Sequence, residues 1–399
     1  MAVTFVDQLP EDTFTDKKVL ARFDFNVPLD GEDKSKISDT TRIDSALETI
    51  RLILAQKPKK LILMSHLGRP KGQANPDFSL EPVATYLAEK LDEEVLLTES
   101  CKDRGIKTLL ELSQNRVLLL QNLRFHSEET DNDHEFSKTL ASYGDFYVND
   151  AFGTAHRKHA STYGVNTFFN KRAYGGLLLK KEITALEKIV QKPTSPFVAI
   201  VGGAKVSDKI KIIERLLVNV NQLLIGGAMA YPFLKAQGHN VGTSLCEESD
   251  VQLAAKILSS KGAQKIVLPS DHIASETFAG APLQVNSVDL SEGIMGLDIG
   301  EQTLAQFSHI IKNAKTVLWN GPMGLFENVA YSKGTFGIAE ALTKVDGFTL
   351  VGGGDSVSAV VKSGLADKMG HVSTGGGASL EYIENGTLPG IQALKFGIQ

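Results

Sequence analysis

Residues 197–230 read FVAIVGGAKVSDKIKIIERLLVNVNQLLIGGAMA, and this stretch decides the fold class. It opens with an unbroken apolar run, FVAIV, halted by Gly202 and Gly203. A short apolar run bounded by glycine fits a strand buried on both faces. SDKIKIIERLLVNV (207–220) follows, with apolar residues at helical spacing. QLLIGGAMA (222–230) then repeats the first run, glycine pair included. Strand, helix and matching strand make a parallel β-α-β unit, because parallel neighbours need a crossover between them.

The same rhythm extends in both directions. Towards the C-terminus it continues in KIVLPSD (265–271), TVLWNGP (316–322), FTLVGGGDS (348–356) and HVSTGGGAS (371–379). Towards the N-terminus it appears in VLARFDFNVP (19–28), LILMSHLGRP (61–70), VLLLQNLRF (117–125) and FYVNDAFGT (146–154). TTRIDSALETIRLILAQ (40–56) is one of the amphipathic stretches between them. The expected fold is α/β, with two doubly wound parallel-sheet (Rossmann-like) domains joined by an inter-domain helix and hinge. GGLLLKKEITALEKIVQKPTSP (175–196) supplies that helix and its Pro-rich break. The expected boundaries are 1–172 and 197–380 for the two domains, 173–196 for the helix and hinge, and 381–399 for a C-terminal tail.

The totals agree with two domains. A chain of 399 residues is large for one core, and 42% apolar with 22% charged residues is ordinary for a soluble protein. The net charge of −5 offers no basic field for nucleic acid, so any anion site must be built locally. Cys101 and Cys246 form no metal-ligand spacing and no disulfide framework. MAVTFVDQLPEDTF is too acidic for a signal peptide, and no apolar run nears the roughly 20 residues of a membrane helix. A cytoplasmic location is expected.

Ligands of such sheets sit beyond the carboxyl ends of the strands. In the second half those ends carry Gly202–Gly203, Gly226–Gly227, Gly352–Gly354 and Gly375–Gly377. Glycines admit close backbone approach, and helix N-termini offer free N–H groups to anions. Lys205 and Lys209, at spacing four, are expected on one face of the next helix, where a cation opposes the dipole unless an external anion relieves it. Asp355 reads as an N-cap, as a holder of Mg²⁺ on phosphates, or as both. Trp319 is expected in the core, and Glu327 either accepts ribose hydroxyls or lies at the surface.

In the first half the strand ends carry Arg22, Asp24 and Asn26, then His66 and Arg69, Arg124, His156 and Arg157, with Arg42 near a helix start. Alternation in ARFDFNVP (21–28) puts Phe23, Phe25 and Val27 on one side of a strand and the polar three on the other. A lone arginine or histidine there would be structural. Several together form planar forks suited to a small, multiply charged acid. Nucleotide on one face and compact anion on the other suggest phosphoryl transfer with closure. No G-x-x-x-x-G-K-[ST], H-R-D-L-x-x-x-N or G-x-G-x-x-G occurs, and no base aimed at a hydroxyl is evident. A carboxylate acceptor, ionised at neutral pH, needs no base.

The motifs RxDxNVP, HLGRP, NLRF, NDAFGTAHR, GGAKVxDKI, WNGPMGxFE, GGGDS and STGGGASLE occur here in that order. With them the chain resembles the phosphoglycerate kinase family over essentially its whole length. The resemblance implies phosphoryl exchange between 1,3-bisphosphoglycerate and ADP, giving 3-phosphoglycerate and ATP in glycolysis. It further implies a monomer whose C-terminal tail, 388–399, returns to the first domain. It implies an acid site of Asp24, Phe25, Asn26, Arg42, His66, Leu67, Gly68, Arg69, Arg124 and Arg157. Arg42, Lys205, Lys209, Gly354 and Gly377 would carry the transfer. Lys205, Lys209, Gly227, Gly300, Asn320, Pro322, Glu327, Gly353, Gly354, Asp355 and Ser356 would bind ATP or ADP, with Asp355 on Mg²⁺. Ile294 and Glu301 depart from the Trp and Pro common in the family, and QNLRF from ENLRF. The competing readings are a non-catalytic sensor of a phosphorylated acid and a nucleotide, and a nicotinamide oxidoreductase, which lacks its fingerprint.

Overall fold

The computed structural model describes residues 2–396. The chain divides into two units, Met1–Thr184 with Thr387–Gln399, and Ala185–Gly386. The division falls inside the helix Leu177–Val190. The expected tail beyond Phe396 lies outside the described residues.

The first unit is built on six parallel strands: β1 (Lys18–Arg22), β2 (Lys60–Met64), β3 (Val95–Leu97), β4 (Val117–Leu119), β5 (Phe146–Asn149) and β6 (Ala173–Gly175). Their order is β3-β4-β2-β1-β5-β6. β1 and β2 sit centrally and are almost wholly buried, as a sheet covered on both faces requires. One core layer joins Phe23, Phe25 and Ile50; the other joins Leu118, Leu140 and Tyr147. The order reverses between β1 and β5, so a switch point lies beyond the ends of these strands.

ARFDFNVP is only partly strand. The ladder ends at Arg22, and residues 23–28 run on outside the sheet. Phe23 N–H still reaches Met64 O of β2 (3.0 Å), but the amides that follow turn to side chains: Phe25 N–H donates to Ser65 Oγ (2.8 Å) and Asn26 N–H to Asp24 Oδ1 (3.2 Å), so the ladder goes no further. Phe23 and Phe25 nevertheless both point into the core and stack at 5.5 Å. At about 1.5–3 kcal/mol for each buried ring, that pair fixes the segment without a ladder.

The second unit has β7 (Phe197–Val201), β8 (Gln222–Ile225), β9 (Ile266–Val267), β10 (His272–Ser275), β11 (Leu283–Val285), β12 (Met295–Ile299), β13 (Thr316–Asn320), β14 (Phe348–Gly352) and β15 (His371–Val372). Six are parallel, in the order β15-β14-β13-β7-β8-β9. The other three form an antiparallel sheet, β11-β10-β12, which the sequence reading did not foresee. It also omitted β3 and β6, which are three residues each and only partly buried. Trp319 is fully buried in the core, its indole N–H donating to Gly321 O at 2.8 Å.

Candidate functional site

In the first unit, the loops after β1, β2 and β4 are tied together by side chains. Asn26 Oδ1 accepts from Gly68 N–H (2.8 Å), and the Arg124 guanidinium donates to Gly68 O (2.8 Å). Asn122 accepts from Leu67 N–H (3.2 Å) and Arg124 N–H (3.1 Å), and donates to Leu67 O (2.7 Å). Arg42 is ion-paired with Asp24 at 2.9 Å. Arg69, Arg124 and Arg157 line a pocket of about 370 Å³ with Lys71, His126 and His159.

The electrostatics of this group are lopsided. Burial, then Arg22 and Arg157, pull Arg124 down to about 10. Burial, then the guanidinium groups of Arg22, Arg124, Arg157 and Arg42, hold His66 well below its ordinary range. His159 falls to about 3 through burial, then Arg124, Arg22 and Arg157. Cations packed so closely depress one another, and a polyanionic ligand would reverse the strain. Of the expected residues, Asp24, Asn26, Arg42, His66, Gly68, Arg69, Arg124 and Arg157 are thus mutual neighbours here. Phe25 and Leu67 are buried beside them and contribute backbone, not side chain. The sequence reading missed Lys71, His126 and His159, although Lys71 follows Arg69 by two residues and His159 follows Arg157 by two.

In the second unit two pockets share Asp355. One, of about 450 Å³, is walled mainly by apolar groups, among them Ala204, Leu245, Phe278, Met295, Pro322 and Leu325, with Gly227 and Glu327 at its edge. The other, of about 210 Å³, is lined by Lys209, Asn320, Gly353, Gly354, Ser356, Gly376 and Gly377. Helices Gly354–Lys362 and Gly377–Asn385 both begin at this smaller pocket. Two converging N-termini present unpaired N–H groups to whatever enters. Gly353 (φ +90°) admits no side chain: a Cβ there would lie 2.5 Å from Asn320 Nδ2. Gly227 (φ +67°) brings the strand end within reach of Gly203 and Pro322 O, where a Cβ would meet them at under 3 Å.

Lys209 is the one cation lining the smaller pocket among the described residues. Its ammonium donates to Gly202 O (2.7 Å) and to Asn320 Oδ1 (2.5 Å), and burial lowers it to about 8. The expected pairing of Lys205 and Lys209 on one helix face does not occur. The helix begins only at Ile210, with Lys209 at its N-cap position, so Lys205 lies in the loop before it. Lys205 is exposed and paired with Glu247 at 2.6 Å. Asp355 is likewise not an N-cap; Gly353 holds that position and Asp355 sits in the first turn. Gly300 lines neither pocket; it caps the helix Glu301–Lys312, with Asp271 filling the space beside it.

Asp355 is the only carboxylate lining the smaller pocket among the described residues, and no cluster of three metal-ligating side chains occurs among them. A single carboxylate suits a cation that keeps most of its shell as water and phosphate oxygen, which is the manner of Mg²⁺. Ile294 packs against Tyr231, Leu234 and Leu290, and Glu301 pairs with Lys333 at 2.5 Å. No helix among the described residues is long and apolar enough to cross a membrane.

Comparisons with known proteins agree with this geometry. The family model described as phosphoglycerate kinase matches residues 9–386. A phosphoglycerate kinase of Anaeromyxobacter dehalogenans (strain 2CP-C) is 50% identical over 404 residues, covering 99% of this chain and 100% of its own. One of Chlorobium luteolum is 51% identical over 395 residues, covering 97% and 98%. The solved phosphoglycerate kinase of Coxiella burnetii superposes with a TM-score of 0.88 at 38% identity, covering 98% of this chain and 99% of that one. The chain belongs to the phosphoglycerate kinase family.

Proposed function

We propose that the protein transfers a phosphoryl group reversibly between 1,3-bisphosphoglycerate and ADP, giving 3-phosphoglycerate and ATP, the ATP-yielding exchange of glycolysis. The family membership supports this, and one observation carries the assignment of parts. A pocket crowded with arginines occurs in one unit, and a pocket of converging helix N-termini with a buried lysine in the other. The first takes the acid: Arg69, Arg124 and Arg157 receive its charges, while Asp24 and Asn26 orient its polar groups. The second takes the nucleotide, its base and ribose against the apolar pocket and Glu327, its phosphates over Gly353, Gly354 and Gly377.

Mg²⁺ would be held by Asp355 and the nucleotide phosphates, and would neutralise oxygen charge there when bound. The acceptor carboxylate is already ionised, so no residue needs to remove a proton. The chain's own contribution is alignment and charge. Lys209 meets the phosphate end of the nucleotide, and Arg42 meets the charge that develops on the group in flight. The reading includes direct in-line transfer, which requires acid and nucleotide to be brought together, with Leu177–Val190 as the link. It also includes a monomer working in the cytoplasm. Incubation with Mg-ATP and 3-phosphoglycerate should generate ADP and a trappable acyl phosphate. Binding of both ligands without that product would instead leave a sensor.

A further inference from the structure

Beneath the arginine pocket lies a chain of buried polar groups that the transfer reaction does not itself require. Glu129, in the short helix Ser127–Thr130, is fully buried. Its carboxylate accepts from Ser161 Oγ (2.7 Å) and from Ser161 N–H (3.0 Å), and stands 3.8 Å from His159 Nδ1. Ser161 Oγ has given its single proton to Glu129, so it must accept from its other neighbour. That neighbour is Arg22 Nε, at 2.9 Å. Arg22 is also fully buried, at the last position of β1. Its other two nitrogens reach Phe23 O and, at 3.1 Å, His66 Nδ1.

The direction of the last bond follows from chemistry. A guanidinium has donors and no acceptor, so His66 Nδ1 must be the unprotonated nitrogen. The ring proton is then on Nε2. Asp24 Oδ1 lies 4.0 Å from the same Nδ1 and would draw a proton onto it if Arg22 were displaced. We propose that Glu129 and Ser161 are positioning residues for the acid site: through Arg22 they lock His66 as the neutral Nε2–H tautomer, which donates to the bound acid. This rests on the reading of the arginine pocket as the acid site. A buried charge-assisted chain holds best when its members are paired, and from Glu129 through Ser161 and Arg22 to His66 each step is a hydrogen bond. The four guanidinium groups near His66 act in the same sense, keeping the imidazole neutral.

Two substitutions separate positioning from bulk charge. Ser161→Ala keeps both buried charges and removes only the relay. It should raise KM for 3-phosphoglycerate about tenfold, the usual effect of losing one charge-assisted bond, with a smaller change in kcat. Glu129→Gln removes a negative charge near an anion site, so electrostatics alone would lower KM; positioning requires it to rise. Ring-nitrogen NMR of the ligand-free protein reads the tautomer itself. Wild type should show His66 as one Nε2–H species from about pH 5.5 to 8, and Ser161→Ala a mixture or a titrating ring. A wild-type His66 protonated at Nδ1, or variants with unaltered tautomer and KM, would overturn the proposal. The wild-type spectrum needs no variant to fold and no turnover, so it stands apart from the assay of the reaction.

Discussion

Lys209 offers a measurable consequence of its burial. In the unfolded chain its ammonium has an ordinary lysine value of 10.5; in the fold, burial brings it to about 8. The folded protein therefore releases this proton first. Between about pH 8 and 10.5 the unfolded state binds more protons, so stability rises with pH in that window. Below it, holding the buried ammonium costs, at about 1.4 kcal/mol per pH unit, about 3 kcal/mol as an upper figure. Lys209→Met removes the titration and keeps most of the volume. It also removes the donors to Gly202 O and Asn320 Oδ1, so its stability at any one pH mixes gain and loss. The slope does not mix them. Urea unfolding of the unit that contains Lys209, at several pH values from about 7 to 10.5, should show wild type gaining on Lys209→Met by up to about 3 kcal/mol. Saturating ADP should flatten this gain, because phosphate holds the proton on the ammonium. A constant difference across the range would mean that Lys209 is solvated, and would refute the cradle as described.

Other outcomes follow from the same geometry. Arg42→Ala should lower kcat by about a hundredfold or more while KM for 3-phosphoglycerate changes by less than about threefold, as for a contact made mainly in the transition state. Steady-state kinetics with both substrates varied checks it, and an unaltered kcat would remove Arg42 from the transfer. Gly353→Ala places a methyl 2.5 Å from Asn320 Nδ2 at φ +90°. It should cost about 1–3 kcal/mol of stability and displace the amide that holds Lys209, raising KM for ATP; thermal melts and kinetics read both.

Much of the fold was legible because parallel strands buried on both faces are written as plain apolar runs. FVAIV, KLILM and TVLWN are wholly buried strands. The parts that escaped lack that signal. β11 is largely exposed, and β10 is closed on its other side by β12, whose partners lie twenty or more residues on. ARFDFNVP shows a subtler limit: its alternation is real in the packing, but Ser65, forty residues away, takes the amide that a ladder would need.

The site divided in the same way. Arg69, Arg124 and Arg157 were legible because strand ends in such folds face ligands, and three arginines there have no common structural excuse. Lys205 and Lys209 look equivalent in GGAKVSDK, yet the helix starts one turn late and sends them to different partners. Glu129 and Ser161 could not be read at all, since nothing local marks a carboxylate that serves a loop 32 residues on.

The division of labour between the two pockets is tested most directly by a crossed titration. Calorimetry should show Arg124→Ala losing at least about tenfold in affinity for 3-phosphoglycerate with its affinity for ADP unchanged, and Lys209→Met the reverse. If either variant weakens the other unit's ligand and spares its own, the assignment of acid to the arginine pocket and nucleotide to the glycine-lined one is wrong.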